Sequence, residues 1–348
     1  MNTYKKLAEK LDLTPNRYPK TESGVEVRLL EKIFSPDEAA LGAEMFFDKE
    51  PAGVIASRVG ISEKEAKIIL KSMVRKELIL FSKENSELVF GLMPFAFGFY
   101  EMLGPRINEE IAGLFEQYFQ ETEGKITGDG MSIHRVVPIQ ESIDVEMDIF
   151  PYEKASNIVE SGKSWGVRDC ICRVQKELVG DPCDHPKENC LVIAPIEGAF
   201  DSSDVDRAVS KEEALQILID AEDAGLVHTT GNYQSNNYIC NCCTCSCGIL
   251  RSVAEFNNIH GIAKADFLAV VDEELCIACG DCLERCQFSA LNVDGPVCEV
   301  NSAFCVGCGL CVAVCPEDAL VMIRRSEGVV LPPPENLKKW GEDRLSNR

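Results

Sequence analysis

The chain has 348 residues, of which 45% are hydrophobic and 26% charged, and this composition excludes a protein that is disordered throughout. Its length allows two or three domains with buried cores. The net charge of −22 is uneven, because residues 1–125 carry −4 and residues 126–348 carry −18. Since phosphate binding requires positive charge, the second part favours a redox partner protein with a basic docking face over nucleic acid.

The 18 cysteines all fall between Cys170 and Cys315, in short, clustered spacings. Such spacings indicate metal ligation, whereas disulfides close longer loops. The N-terminal sequence lacks the apolar core of a secretory signal, and the most apolar stretch, residues 91–104, is too short to span a bilayer. We therefore expect a cytoplasmic protein without a membrane span, in which metal rather than disulfide bonding holds the thiolates.

The first 90 residues have the element order of a winged helix-turn-helix. Residues 35–47 open with an N-cap serine, a proline and a capping-box glutamate, which predict a first helix. Pro51 starts a second helix that Gly60 ends, and a second capping box at Ser62 precedes a third. Residues 78–90 predict a hairpin, the wing.

Two interpretations of this winged-helix-like module stay open. In the first, the third helix enters a DNA groove and presents five basic residues: Lys64, Lys67, Lys71, Arg75 and Lys76. In the second, the module docks a protein or dimerises, and these side chains only solvate an exposed face. The negative charge of the segment favours the second interpretation.

A middle region of mixed α/β pattern follows. Residues 91–125 predict a connecting helix, and a glycine-rich linker follows at residues 123–130. Residues 134–139 then predict a strand, residues 152–161 a helix, and Ser210 caps a further helix that Gly225 stops.

The spacing C-x-x-C-x-x-C-x-x-x-C occurs twice near the C-terminus. The two copies are Cys276, Cys279, Cys282 and Cys286, then Cys305, Cys308, Cys311 and Cys315. Zinc ribbons space their ligands as two separated pairs, so this three-plus-one run fits zinc poorly. The repeat, over residues 264–326, resembles the bacterial two-cluster ferredoxins, in which the fourth cysteine of each run reaches the other cluster.

The resemblance implies two 4Fe-4S clusters and a ferredoxin-like fold. Carried over residue by residue, it implies one cluster on Cys276, Cys279, Cys282 and Cys315, and a second on Cys305, Cys308, Cys311 and Cys286. Pro316 follows Cys315 as in the family, but Gln287 follows Cys286, and this departure should alter the hydrogen bonds and the potential of the second cluster. Cys298 matches no position of the repeat, and we interpret it as a small buried hydrophobe.

Nine further cysteines exceed any packing need and are candidate metal ligands. They are Cys170, Cys172, Cys183, Cys190, Cys240, Cys242, Cys243, Cys245 and Cys247. Side chains alternate in an extended run, so the last three of these would face one side and Cys240 and Cys242 the other. The alternatives are one or two further Fe-S clusters, structural zinc with His185 as a contributor, or a thiol redox relay.

A helix that begins near Gly248 would direct free N–H groups at cluster sulfurs, with Arg173 and Arg251 as charge partners. The same segments resemble ferredoxin-domain proteins of anaerobic bacteria and archaea. The segments that carry this resemblance are Tyr152-Glu153, residues 168–173, residues 183–186 and residues 239–243. It implies an anaerobic electron-transfer setting and no particular reaction.

We predict an α+β protein with an electron-transfer function. No Gly-rich nucleotide motif or serine nucleophile motif is present, and we interpret His134, His228 and His260 as structural. The alternatives are a redox-responsive winged-helix transcription regulator and an Fe-S oxidoreductase with its own active site in the middle domain. The predicted parts are a winged-helix-like module, a cysteine-rich middle domain, a ferredoxin-like dicluster domain and a tail, at residues 1–125, 126–262, 263–330 and 331–348.

Overall fold

The computed structural model describes residues 2–143, 150–258, 261–326 and 328–346. These residues divide into two compact units, the first made of Met1–Gly130, Val174–Pro182 and Gly341–Arg348, the second of Met131–Arg173 and Cys183–Trp340. His260 lies outside the described residues. The domain boundaries drawn from the sequence stay predictions.

The first unit is mainly helical. Its helices are α1 (Thr3–Asp12), α2 (Val25–Ile33), α3 (Pro36–Gly42), α4 (Ala52–Val59), α5 (Glu63–Arg75) and α6 (Glu109–Glu121). Its strands are β1 (Glu50–Pro51), β2 (Ile79–Glu84) and β3 (Glu87–Leu92), which form one sheet in the order β1-β3-β2. The predicted hairpin is confirmed, and its interpretation as a wing stays a prediction.

Local signals place most of these helix ends as expected. Both capping boxes form. The side chains of Ser35 and Ser62 each accept the backbone N–H of the glutamate three residues on, and the backbone N–H of each serine donates to the carboxylate of that glutamate. Gly60 ends α4 in the left-handed region, with φ +80°. The predicted extension of the first helix to Phe47 is wrong: α3 ends at Gly42, because the chain turns there to bring the Phe46 carbonyl to the N–H of Leu92, 2.6 Å away.

The prediction that residues 91–125 form one connecting helix is wrong. Two short irregular turns, Phe95–Phe99 and Glu101–Arg106, come first, and only α6 is a regular helix. Gly104 has a non-helical backbone and is followed by Pro105, which explains the interruption. The apolar stretch supplies core residues, since Phe95 and Phe99 are fully buried. Within the described residues, no helix has the length and apolar composition needed to cross a membrane.

The second unit is built on a seven-stranded sheet. Its first strands are β4 (His134–Val136), β5 (Ser164–Asp169), β6 (Glu188–Ala194), β7 (Arg207–Val209), β8 (Val227–Gly231), β9 (Tyr238–Cys242) and β10 (Ile262–Ala263), in the spatial order β10-β4-β8-β9-β6-β5-β7. Only the β10–β4 pair among these neighbours is parallel. Its early helices are α7 (Ala155–Glu160), the start of α8 (Ile171–Leu178), which belongs to the first unit from Val174 onwards, α9 (Lys211–Asp223) and α10 (Gly248–Phe256). The predicted starts of α9 and α10 are confirmed.

The C-terminal part of the second unit consists of two small antiparallel ribbons. Its elements are β11 (Phe267–Val271), α11 (Asp281–Arg285), β12 (Leu291–Asn292), β13 (Glu299–Val300), β14 (Leu320–Arg324) and the start of α12 (Leu337–Ser346), a helix that belongs to the first unit from Gly341 onwards. β11 pairs with β14 and β12 with β13. The predicted tail therefore contains a helix, and its Trp340 is buried.

Polar contacts join these ribbons to the seven-stranded part of the unit. The two Nη atoms of the Arg324 guanidinium donate to the Glu153 carboxylate, each at 3.0 Å. Asp266 lies 3.6 Å from Arg135, and burial, followed by a hydrogen bond with Glu153, raises the pKa of Asp266 to about 7. The N–H of Ile139 also donates to the Cys308 carbonyl at 2.9 Å.

The contact between the Cys308 loop and residues 139–142 leads to a prediction. Gly309 has φ +82°, and a Cβ there would overlap the side chain of Ser142; Gly280, its counterpart in the repeat, has φ +87° and open space. Both alanine variants are destabilised by backbone strain at a positive φ, but only Gly309→Ala also introduces a steric clash. We expect it to lower the free energy of unfolding by about 1–3 kcal/mol more than Gly280→Ala in urea titrations. Equal losses, or no rescue of Gly309→Ala by Ser142→Gly, would contradict this packing.

Candidate metal centres

Four of the predicted ligands line a first cavity. They are Cys276, Cys279, Cys282 and Cys315. The loop wraps around the cavity because Ala278 and Gly280 both have positive φ. Backbone N–H groups point at the sulfurs: that of Cys298 donates to Cys276 Sγ and that of Ala319 to Cys315 Sγ, each at 3.3 Å. Such donors favour an anionic sulfur.

The other four predicted ligands line a second cavity. They are Cys286, Cys305, Cys308 and Cys311. The N–H of Ala290 donates to Cys286 Sγ at 3.3 Å, as that of Ala319 does in the first cavity. Burial raises the pKa of Cys308 to about 12. A thiolate there needs a compensating positive charge, which a metal centre supplies.

The two cavities differ in their access to solvent. In the first, Cys279 is exposed and the neighbouring Ile277 is 61% exposed. In the second, Cys305 and Cys311 are both buried. Cys279 is therefore the most exposed of the eight predicted ligands.

A family comparison covers the segment that forms both cavities. Residues 269–322 match the family model of the 4Fe-4S dicluster domain. The predicted ferredoxin-like dicluster domain is thereby confirmed, while the assignment of each cysteine to a cluster stays a prediction. No curated protein and no solved structure matches the chain.

Gln287, which stands where the ferredoxin pattern has proline, joins the dicluster domain to a turn of the middle region. Its Oε1 accepts the N–H of Thr244 at 2.7 Å, and its Nε2 donates to the carbonyl of Gly225. Thr244 lies between Cys243 and Cys245, so the residue after one predicted cluster ligand holds a turn with two further thiols. A proline could make neither contact.

Cys298 lies at a position in the first cavity that the sequence did not indicate. It is buried, as predicted, but it lines the first cavity with its Sγ 3.6 Å from Cys282 Sγ. Burial raises the pKa of its thiol to about 12. Its position outside the repeat gave no signal for this placement.

Six thiols of the middle region form a closed ring, which we call the six-thiol ring. Its members in order are Cys170, Cys172, Cys247, Cys242, Cys240 and Cys190, each interacting electrostatically with the next and the last with the first. Cys190 lies on β6 and Cys240 on β9, and these strands pair from Leu191 opposite Ile239 onwards. Sheet register thus brings the two cysteine segments together.

Two helices begin at the six-thiol ring. Cys170 immediately precedes α8, and Cys247 is the N-cap of α10. The backbone N–H groups of Arg173 and Leu250 interact with these two thiols. Helix N-termini stabilise anionic sulfur.

Ionisation is unevenly distributed around the ring. The pKa of Cys170 is lowered, chiefly because the thiols of Cys172 and Cys190 donate to it, and also because Arg173 is near. The pKa of Cys172 is raised, first by its hydrogen bond to Cys170. Close thiolates repel one another, so full deprotonation of the ring requires metal cations.

The remaining three middle-region cysteines meet His185 in a second group, which we call the quartet: Cys183, His185, Cys243 and Cys245. Their ligand atoms all lie within 4.8 Å of one another. Among the described residues, no other group of three or more candidate metal ligands has its ligand atoms this close together. The contribution of His185, raised from the sequence as one alternative, is thus compatible with the geometry.

The predicted alternation of cysteine faces over residues 240–247 is wrong at its end. Strand β9 stops at Cys242, and a turn follows in which the Cys247 N–H donates to the Cys243 carbonyl at 3.0 Å. Cys247 therefore joins Cys240 and Cys242 in the six-thiol ring instead of facing with Cys243 and Cys245.

Arg173 contacts both thiol groups. It is buried, and its Nη2 donates to Cys243 Sγ at 3.4 Å and to the Asn241 carbonyl at 2.9 Å. Its pKa is raised by the thiols of Cys170 and Cys243 against the effect of burial. Arg251, the other predicted charge partner, is buried and pairs with Glu255 at 2.6 Å.

The two described histidines predicted to be structural are buried and bonded to protein groups. His134 contacts Thr229 at 3.2 Å and Tyr238 at 2.9 Å, and burial lowers its pKa to about 3. His228 contacts Asn241 at 2.7 Å and Glu222 at 3.0 Å. Both thus hold neighbouring elements in place.

The contacts of Gln287 can be tested by substitution. Gln287→Ala removes two hydrogen bonds of a part-buried side chain, and Gln287→Pro removes the same two while restoring the family pattern. We expect each variant to lower the free energy of unfolding by about 1–3 kcal/mol in chemical denaturation. Pro316→Ala, at the matching position of the other motif, is the control. A stabilised Gln287→Pro variant would contradict a structural role of this side chain.

Proposed function

We propose that this protein is an iron-sulfur electron-transfer protein in which two 4Fe-4S clusters relay single electrons to a partner oxidoreductase. The observation that supports this most strongly is the doubled three-plus-one arrangement: each of two cavities is lined by three cysteines of one motif and the fourth of the other. Within that assignment, Cys276, Cys279, Cys282 and Cys315 hold one cluster, and Cys286, Cys305, Cys308 and Cys311 the second.

A 4Fe-4S cluster supplies a one-electron redox change, and the chain sets its potential. Three backbone N–H groups, those of Cys298, Ala319 and Ala290, donate to ligand sulfurs at 3.3 Å. Hydrogen bonds to sulfur stabilise the more negative, reduced state and raise the potential. The ligands also differ in burial, because Cys279 of the first cavity is exposed whereas Cys305 and Cys311 of the second are buried, so we expect two different potentials.

The surface near the first cavity suits a basic partner. Apolar side chains that are exposed there include Leu275, Ile277 and Leu283. Exposed acidic residues flank the same loops: Asp272, Glu273, Glu274, Asp281, Glu284, Glu317 and Asp318. An apolar centre with an acidic rim gives short-range contact and long-range steering toward a positively charged face.

The six-thiol ring completes the proposal as a further iron-sulfur centre in the middle region. Two helix starts, the neighbouring guanidinium of Arg173 and six buried or half-buried thiols provide a site for an anionic cluster. Four ring cysteines are enough for a cluster, and the other two then remain as hydrogen-bonding neighbours.

Metal content tests the two dicluster-domain clusters directly. We expect at least about eight iron atoms and matching acid-labile sulfide per chain after anaerobic purification, since each cluster holds four. Cys279→Ala should remove one cluster's EPR signal in the reduced protein and lower the iron content. Cys298→Ala, at the thiol of the same cavity that is not a proposed ligand, should keep both. Fewer than about eight iron atoms, or an unchanged spectrum for Cys279→Ala, would refute the assignment.

Salt dependence tests the proposed docking surface. Electron transfer to a basic acceptor protein such as cytochrome c should slow as ionic strength rises, whereas transfer to anionic ferricyanide should speed up. Glu284→Lys should slow the first reaction about 2- to 5-fold at low salt, as measured by stopped-flow absorbance. Glu212→Lys makes the same charge change on α9 and serves as the control. Equal effects of the two reversals would mean that net charge, not this surface, governs docking.

A further inference from the structure

We infer that the quartet of Cys183, His185, Cys243 and Cys245 binds one tetrahedral zinc ion, in a site separate from every iron-sulfur centre. The inference deepens the proposed function and rests on it only in assigning iron to the other thiols. It divides the nine middle-region cysteines into six for a cluster and three for a single ion.

Spacing of the ligand atoms distinguishes the two kinds of site. All four atoms of the quartet lie within 4.8 Å of one another. Around one zinc ion with Zn–S bonds of about 2.3 Å, tetrahedral ligands stand about 3.8 Å apart. In a 4Fe-4S cluster each cysteine binds a different iron atom, so its sulfurs must stand farther apart. The quartet is already close to the single-ion arrangement.

The chain delivers these ligands as two short pairs from separate segments. Cys183 and His185 lie in the loop before β6, and Cys243 and Cys245 lie in the turn after β9. Two separated pairs are the usual arrangement of structural zinc sites. Metal that bridges the two segments ties the loop to the turn and stabilises both.

The charge of the site also fits a divalent ion. Three thiolates and a neutral imidazole around Zn²⁺ leave one negative charge, which a single cation can balance. Arg173 offsets part of this charge, since its buried guanidinium donates to Cys243 Sγ at 3.4 Å and also interacts with Cys170 of the six-thiol ring. The same guanidinium donates to the carbonyl of Pro186, the residue after His185, at 3.0 Å. It therefore braces both ligand pairs.

Four protein ligands leave no open coordination position, which assigns the ion a structural role. A mixed set of three thiolates and one imidazole suits zinc, which binds such ligands more tightly than Fe²⁺ does. A zinc ion at this site would also affect the dicluster domain, because Gln287 accepts a hydrogen bond from the N–H of Thr244, which lies between two of the ligands. Zinc would fix this turn and thereby the loop of Cys286.

The test is metal analysis of the full-length protein, purified anaerobically from medium that contains both iron and zinc. We expect one zinc per chain in addition to iron. His185→Ala should lower bound zinc at least tenfold after dialysis against a chelator, and His185→Cys should restore it. Asp184→Ala, at the exposed residue between the two ligands, is the control and should keep full zinc. The reduced EPR signals of the dicluster domain should persist in all three variants.

Cobalt substitution gives a second readout that does not depend on how well the variants fold. The native protein grown with Co²⁺ should show thiolate-to-cobalt charge-transfer and tetrahedral absorption bands with one cobalt per chain. Zinc absent from native protein, or zinc retained equally by His185→Ala and Asp184→Ala, would overturn the inference. Low iron together with one zinc per chain would instead refute the proposed iron-sulfur function and leave the zinc site standing.

Discussion

Repulsion between closely spaced thiolates is the constraint on which the second unit depends. Wherever thiols converge, the fold places positive charge or hydrogen-bond donors next to them. Backbone N–H groups point at Cys276, Cys286 and Cys315, and Arg173 lies against Cys243. These groups stabilise an anionic sulfur, so the sites are electrostatically suited to metal before any metal binds.

The fold meets this constraint in two different ways. In the dicluster domain the backbone does so, because residues with positive φ, such as Ala278 and Gly309, curl a loop around each cavity. In the middle region secondary structure does so: β6 and β9 set their cysteines side by side, and helices α8 and α10 begin next to them. The first solution depends on a local motif and the second on sheet register, which fixes side chains far apart in the sequence.

That difference explains how far the sequence could predict each site. The dicluster domain follows from the spacing of its cysteines, because three-plus-one is itself a geometric specification. The six-thiol ring cannot be predicted in this way, because the set of cysteines in it depends on where β9 ends. The alternation of side chains holds through Cys242 and fails at Cys247, because a turn lies between them. Capping serines fixed helix starts, whereas the early end of α3 depends on a long-range hydrogen bond between Phe46 and Leu92 that no local pattern reveals.

Gln287 shows how one departure from a motif connects the two solutions. A proline after the fourth cysteine stiffens a loop from within, through its fixed φ. Glutamine lacks that local rigidity and instead contacts Thr244, in the turn after β9, and Gly225, in the segment that follows α9. The Cys286 loop is therefore held from outside, by the same turn that carries Cys243 and Cys245. Because these two hydrogen bonds join the thiol-bearing segments, a metal bound at the quartet as proposed would restrain the loop that carries Cys286.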